Sequence, residues 1–285
     1  MQDKLEAYLS RIGLNRVPDA NADGVAQIQF AHRRSIAFEN LDIPLGLGIA
    51  IGSAAVFDKL ILRGRGGYCF EQNRLFSDMM DAAGIANRPL MARVLLQSPA
   101  DDPPPRTHVL LLALLEGRAW IADAGFGGSM VPPLPLEDGA HAVTPDGAAH
   151  RLRRIGEAGM LPGEWLLERA GPPAATDGRA APHTDWQAQY AFDLAQVAPM
   201  DLEMGNHWTS TRHGTRFTSL VIASIVSSHG FTALTGRHVR ACDGGITRER
   251  MISDVADFGE ILAGEFGLML NDADVARLWS FTESG

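Results

Sequence analysis

The sequence predicts an α+β protein in three parts: an N-terminal helical bundle over residues 1–85, an antiparallel β-sheet or barrel over 86–195, and an α/β part over 196–285. Three observations carry this. Apolar residues recur at helical spacing up to Gly84; the middle stretch has short apolar runs of strand length between turn residues; after Ala198, strand-length runs precede helical patterns. At 285 residues the chain lies at the ~250–300-residue size beyond which one hydrophobic core rarely stays undivided, so length alone predicts two or three subdomains.

The spacing predicts a first helix over 3–14, with Asp3 as cap and Leu5, Tyr8, Leu9 and Ile12 on one face. A second spans Val25–Arg34, and a helical rhythm returns over Val56–Arg63. Arg63-Gly64-Arg65-Gly66-Gly67 interrupts it, because glycine weakens a helix. Phe76, Met79, Met80 and Ala83 then mark a helix that begins near Cys69 and ends at Gly84. In the middle part, Leu90–Leu96 is a short apolar run and Asp101-Asp102-Pro103-Pro104-Pro105 a loop. His108–Leu115 and Ala119–Asp123 flank Glu116-Gly117-Arg118 as a hairpin, with further strands at Arg151–Ile155 and Glu164–Glu168. Ala170–Pro182, rich in Ala, Gly and Pro, reads as a surface loop or linker. Strands follow at Phe217–Ser227, Phe231–Thr235 and His238–Ala241, and helices at 253–263 and 272–280, the last capped by Asn271 or Asp272.

Twenty-five Lys and Arg against 34 Asp and Glu give a net charge of −9, which argues against a nucleic-acid-binding surface. The longest purely apolar run, Val109–Leu115, is too short to span a bilayer, and no charged-then-apolar leader opens the sequence. Two cysteines build no disulfide framework, and no Cys/His spacing suggests a metal site. The expected setting is therefore cytoplasmic and reducing, where a cysteine stays a thiol.

Cys69 is the candidate nucleophile. A helix N-terminus favours the thiolate, and the adjacent Gly66-Gly67 allows a sharp turn beside it. A plainly buried cysteine is the alternative. Most of the nine histidines lie beside loop residues and are expected to be solvated. His108 opens an apolar strand, and Asp123 ends its hairpin partner, so the two should be neighbours; strand parity decides whether they share a face. Cys, His and Asp together would follow the logic of a base-activated nucleophile. Cys242 has no such context.

Arg65-Gly66-Gly67-Tyr68-Cys69, Arg106-Thr107-His108-Val109 and Asp123-Ala124-Gly125-Phe126-Gly127 resemble the three catalytic blocks of the arylamine N-acetyltransferases. Phe38-Glu39-Asn40-Leu41 and Asn206-His207-Trp208-Thr209-Ser210-Thr211 are similar to that family too, and the five blocks stand in its order. Ala124 stands where Val is more usual.

The resemblance implies a helical bundle carrying the nucleophile (1–85), a β-barrel carrying His and Asp (86–195) and an α/β lid (196–285), with a cysteine-protease-like triad of Cys69, His108 and Asp123. It implies a ping-pong reaction in which acetyl-CoA, as cosubstrate, acetylates the cysteine, which then acetylates arylamines, arylhydrazines or arylhydroxylamines. No metal or prosthetic group, nucleic acid or membrane is implied, and a homodimer stays open. A thiol acyltransferase or amide synthase using another acyl donor is the alternative, and a cysteine hydrolase a third reading. Phe38, Thr107 and Phe126 are the expected substrate contacts. Gly125, Gly127, Trp208, Thr209 and Ser210 are the expected CoA contacts, and Glu39 with Arg65 the structural support. No strong basic patch for the CoA phosphates stands out along the sequence.

Overall fold

The N-terminal helices form where apolar spacing places them, with boundaries set by their caps. The computed structural model describes residues 2–98 and 102–283; Asp101 of the proline-rich loop lies outside them. Helix α1 spans Gln2–Arg11 and α2 spans Ala22–Ser35. The Asn21 side chain accepts the Gly24 N–H at 2.9 Å, so α2 begins three residues before Val25. A two-residue strand, β1 (Phe38–Glu39), follows. The third helical stretch is split: α3 (Ser53–Phe57) widens into a π-helical turn over Asp58–Leu62. Helix α4 runs Cys69–Ala82 and stops before Gly84, whose φ is +79°. Leu5, Tyr8 and Leu9 of α1 enter one buried cluster with Phe76, Met79 and Met80 of α4.

Eight antiparallel strands lie between residues 87 and 192: β2 (Asn87–Val94), β3 (His108–Leu115), β4 (Arg118–Ala122), β5 (Leu134–Pro135), β6 (His141–Val143), β7 (Ala149–Arg154), β8 (Trp165–Ala170) and β9 (Gln187–Phe192). Their order is β5-β4-β3-β2-β9-β8-β7-β6. The two edge strands are consecutive in the chain, so the sheet curls into a nearly closed barrel around Leu90, Leu110, Ile121, Leu152, Leu167 and Tyr190. The β3–β4 hairpin turns through Glu116 and Gly117, both at positive φ, in the manner of tight two-residue loops.

The segment expected as a surface linker is partly buried: Ala175, Thr176 and Asp177 are all shielded from solvent, and Ala175 joins a core with Phe231 and Cys242. Ala and Pro leave no apolar stripe that would signal such burial.

The last part begins with α5 (Pro199–Thr211) and α6 (Arg216–Ser219), neither expected as a helix. The strand expected from Phe217 starts at Ile222: β10 (Ile222–Val226), β11 (Gly230–Thr235), β12 (His238–Asp243) and β13 (Ile246–Met251), then α7 (Val255–Gly264) and α8 (Asp272–Glu283). Asn271 caps α8, accepting the Asp274 N–H at 2.9 Å. The sheet order is β1-β10-β11-β12-β13, so the N-terminal β1 supplies an edge strand, with Phe38 opposite Ser224. Among the described residues no helix is long and apolar enough to cross a membrane. Two histidines besides His108 are buried against expectation: His32 bridges Tyr8 and Gln72, and His150 lies inside the barrel part.

The turn before α4 is held from below by a buried ion cluster. Lys59, in the π-helical turn, lies 2.7 Å from Asp42 and 2.8 Å from Glu71. Arg65 lies 2.9 Å from Glu39 and 2.8 Å from Asp42. Gly66 and Gly67 are required by close packing rather than flexibility. A Cβ on Gly66 would stand 2.2 Å from the Ala37 carbonyl oxygen, and one on Gly67 2.8 Å from Glu71. The Glu39 N–H donates to the Gly67 carbonyl at 3.1 Å, which stitches β1 to this turn.

Burial, with Glu39 alongside, raises the Glu71 carboxyl to about 7 against the pull of Lys59. A carboxyl held that high binds its proton more tightly in the folded chain. Its stabilising contribution is complete below the unfolded value of ~4.3 and is lost as pH rises through about 7. Lys59→Met leaves three buried carboxylates facing one cation, and should cost about 3–5 kcal/mol in urea unfolding. The loss should be larger at pH 8 than at pH 5, where the orphaned carboxyls can protonate; a loss independent of pH would refute the assignment.

Candidate active site

Cys69 is the first residue of α4, so its own N–H has no intrahelical partner. The Tyr68 N–H donates to Glu71 Oε2 at 3.0 Å, which closes the helix start upon itself. The thiol is buried and donates to the Thr107 carbonyl at 3.6 Å. It therefore meets the chain immediately before His108.

The hairpin register settles the parity that the sequence leaves open. Leu111 faces Ala122, so one step further Asp123 faces Leu110, on the same side of the sheet as His108. The two side chains meet as diagonal neighbours, with His108 Nε2 2.7 Å from Asp123 Oδ2. The carboxylate can only accept, so Nε2 carries the proton and Nδ1 keeps its lone pair. The other carboxylate oxygen accepts from Asn73 Nδ2 at 3.0 Å and the Gly125 N–H at 2.9 Å. Burial would raise this carboxyl, but His108, Asn73 and Gly125 together hold it below the usual range.

Asn73 was not singled out in the sequence, although it stands one turn after Cys69 on the same helix face. It donates to the Val109 carbonyl at 2.6 Å and accepts the Ala124 N–H at 3.0 Å, so one side chain joins α4 to both ends of the hairpin. Gln29 accepts the Asp123 N–H at 2.8 Å from the α2 side. Tyr190 packs its ring 5.0 Å from that of His108, and Phe126 stands edge-on at 5.3 Å. Gln29 and Tyr190 come from α2 and β9, and nothing in the sequence spacing ties them to the hairpin.

Cys69 and His108 open onto a cavity of about 330 Å³. Phe38, Thr107, Gly125, Phe126 and Gly127 line it, as do Trp208 and Thr209 of α5. Ser210 does not, and its hydroxyl donates to the Asn206 carbonyl at 2.8 Å. The Thr209 hydroxyl is likewise spent on the Gly205 carbonyl at 2.7 Å; both are i−4 bonds within one helix, which the sequence reading overlooked. The two glycines are demanded by packing within the protein. A Cβ on Gly125 would lie 2.5 Å from Asn73 Nδ2 and 2.9 Å from the Cys69 backbone, and one on Gly127 would lie 2.6 Å from the Phe38 ring. Arg65 and Glu39 lie below the turn in the ion cluster, off the cavity wall. Thr215, Arg216 and Phe217 complete the cover, with the Phe217 ring 6.0 Å from Phe38 and 5.6 Å from Tyr68.

Burial pushes the Cys69 thiol up, while backbone N–H groups of Val109 and Phe70 pull it down. A lone thiolate is therefore costly here. Among the described residues no group of His, Cys, Asp and Glu is arranged to hold a metal ion.

A thiol on a helix start, an imidazole behind it and a buried carboxylate orienting that imidazole define the class of thiol enzymes that pass an acyl group through cysteine. Residues 22–275 match the N-acetyltransferase family. The chain is 33% identical over 272 residues to the arylamine N-acetyltransferase of Escherichia coli (strain K12), covering 94% of this chain and 90% of that one. It is 34% identical to the arylamine N-acetyltransferase / N-hydroxyarylamine O-acetyltransferase of Salmonella typhimurium, covering 95% and 91%. The solved structure of a Salmonella typhimurium enzyme of this name superposes with a TM-score of 0.87 at 31% identity over 98% and 99% of the two chains. The Mycobacterium marinum enzyme in complex with CoA gives 0.83 at 31% identity over 98% of each. The chain belongs to the arylamine N-acetyltransferase family.

Gly125→Ala should displace Asp123 or Cys69, since the obstructing atoms include helix backbone. A shift of about 1 Å should lower acyl-transfer kcat/KM by roughly 100-fold in a folded protein. Near wild-type turnover would show that the helix and hairpin tolerate separation.

Proposed function

We infer that this protein transfers an acetyl group from acetyl-CoA through acetyl-Cys69 to the nitrogen of arylamines or arylhydrazines, or to the oxygen of arylhydroxylamines. The observation that carries the reading is the His108–Asp123 bond of 2.7 Å behind a buried thiol, in a chain that belongs to this family. In this reading residues 1–85 supply the nucleophile, 86–195 the base and its carboxylate, and 196–285 the cover over the cavity, in a cytoplasmic, reducing setting.

His108 Nδ1 takes the Cys69 proton as sulfur attacks the thioester carbon. The new S–C bond forms on Cys69, the S–C bond to CoA breaks, and His108 returns its proton to the departing CoA sulfur. The amine nitrogen then attacks acetyl-Cys69 and loses its proton to His108; the N–C bond forms and Cys69 leaves, taking that proton back. Asp123 keeps the imidazole in the one tautomer that can accept from sulfur, and stabilises its charge. The Cys69 N–H is free to donate to the developing oxyanion. Phe38 and Phe126 offer an aromatic acceptor apolar walls, and Thr107 borders the thiol. Gly125, Gly127, Trp208 and Thr209 border the path of the CoA arm.

Intact-mass measurement after mixing with acetyl-CoA should show one added acetyl group, absent in Cys69→Ser and discharged by an arylamine. Label that persists unchanged in Cys69→Ser, or that water removes as fast as an amine does, would overturn the reading. Alkylation of Cys69 should continue well below the ~8.5 of a free thiol and move to higher pH in His108→Gln, because burial then acts unopposed. Superposable pH profiles would exclude proton transfer between the two.

A further inference from the structure

The segment from Asp123 to Val131 carries the carboxylate that holds His108 and much of one wall of the thiol cavity, yet it lies between β4 and β5 and belongs to no helix or strand. Helix α2 holds it at three points. The Gln29 side chain accepts the Asp123 N–H at 2.8 Å and donates to the Val131 carbonyl at 2.7 Å, so one amide spans both ends of the loop. One turn further along the same helix face, Arg33 NH2 donates to the Phe126 carbonyl at 3.2 Å. That carbonyl belongs to the residue whose ring stands edge-on to the His108 imidazole. Arg33 is buried, and its NH1 has no hydrogen-bond partner among the described residues. Burial pushes the guanidinium down to about 10, while Asp123 pulls it up, so it stays charged at neutral pH with its field reaching that carboxylate. An apolar side chain of similar length would be buried at less cost, so packing alone gives no reason for a cation here.

We propose that Arg33 is a positioning residue for the acyl transfer: with Gln29 it clamps the Asp123 loop to α2, and its fixed charge stabilises the deprotonated form of the Cys69–His108–Asp123 chain. The inference rests on the acetyl-cysteine reading above and extends it to α2, which that reading does not use. A nearby cation favours whichever state of the chain has lost a proton, so it lets the thiol ionise at lower pH. The other groups here that can carry charge are Cys69 and Glu71 of α4, with Lys59 paired to Glu71, His108 of β3 and Tyr190 of β9. Burial raises the Tyr190 hydroxyl well above its ordinary value and pushes His32, beside Arg33 on α2, down to about 3, so both are neutral at working pH. Glu71, at about 7, titrates in wild type and variants alike and drops out of the comparison between them.

The test follows iodoacetamide alkylation of Cys69 against pH in wild type, Arg33→Met, Arg33→Lys and Gln29→Leu, beside kcat/KM for acetyl transfer from acetyl-CoA to an arylamine. In Arg33→Met the acid limb of both profiles should move to higher pH by about half a unit or more, which lowers the rate at the acid end roughly 3-fold relative to the plateau. Arg33→Lys keeps the charge and should move the limb less. Gln29→Leu removes two hydrogen bonds and no charge; it should lower kcat/KM roughly 10-fold or more at every pH and leave the limb in place. Should Arg33→Met fail to fold, Arg33→Gln is read in its place. A limb that stays where it is in the uncharged variant, or that moves as far in Arg33→Lys or Gln29→Leu, would overturn the proposal. If the limb moves as expected but Cys69→Ser still takes up the acetyl label, the acetyl-cysteine reading fails and the role of the Arg33 charge on the thiol stands.

Discussion

Everything in the site depends on how closely the start of α4 meets the end of the β3–β4 hairpin. Cys69 comes from a helix, His108 and Asp123 from a sheet, and no covalent feature fixes one to the other. The contact between them is backbone against backbone at Gly125, with the Asn73 side chain bonded to the carbonyl of Val109, the N–H of Ala124 and the carboxylate of Asp123. One amide thereby ties the helix that carries Cys69 to the hairpin that carries His108 and Asp123. Its own placement is dictated by the turn before α4, which the Lys59–Arg65 ion cluster and the tight packing of Gly66 and Gly67 hold against β1.

The same burial that gives this precision makes the thiol reluctant to ionise. A thiolate in an apolar pocket is expensive, and the His108 imidazole that borders the same cavity has its proton-bearing nitrogen committed to Asp123. Phe126 and Tyr190 pack against that imidazole. The carboxylate satisfies both oxygens with donors from three different segments, so it need not draw a proton itself.

Much of this was legible in the sequence because it rests on local patterns. Apolar spacing showed the helix behind Cys69, and the Glu116-Gly117 turn showed the hairpin, which sufficed to make His108 and Asp123 neighbours. What escaped were residues whose meaning depends on contacts across the fold. Lys59 looks like an ordinary helix-surface charge until the π-helical turn buries it among Asp42 and Glu71. Helix α5 was missed because Met200, Met204 and Trp208 stand exposed and leave no inward apolar stripe, and β13 because its six residues are all exposed. Arg33 escaped in the same way, since its bond to the Phe126 carbonyl joins positions 93 residues apart. His32 and His150 look solvated in sequence and are instead sealed inside.

Strand β1 has a bearing on how the molecule comes into being on the ribosome. Phe38 pairs with Ser224, and Asn40 reaches across a separation of 180 residues to the Leu220 carbonyl. The floor beneath the Gly-Gly turn is therefore finished by polypeptide that emerges long after Cys69 does. Contacts between such distant positions form slowly, because the intervening loop must close first. A nascent chain that has released its cysteine, histidine and aspartate still lacks the strand that braces them and the helices that cover them. Cys69 is consequently braced only once the chain beyond residue 220 has emerged.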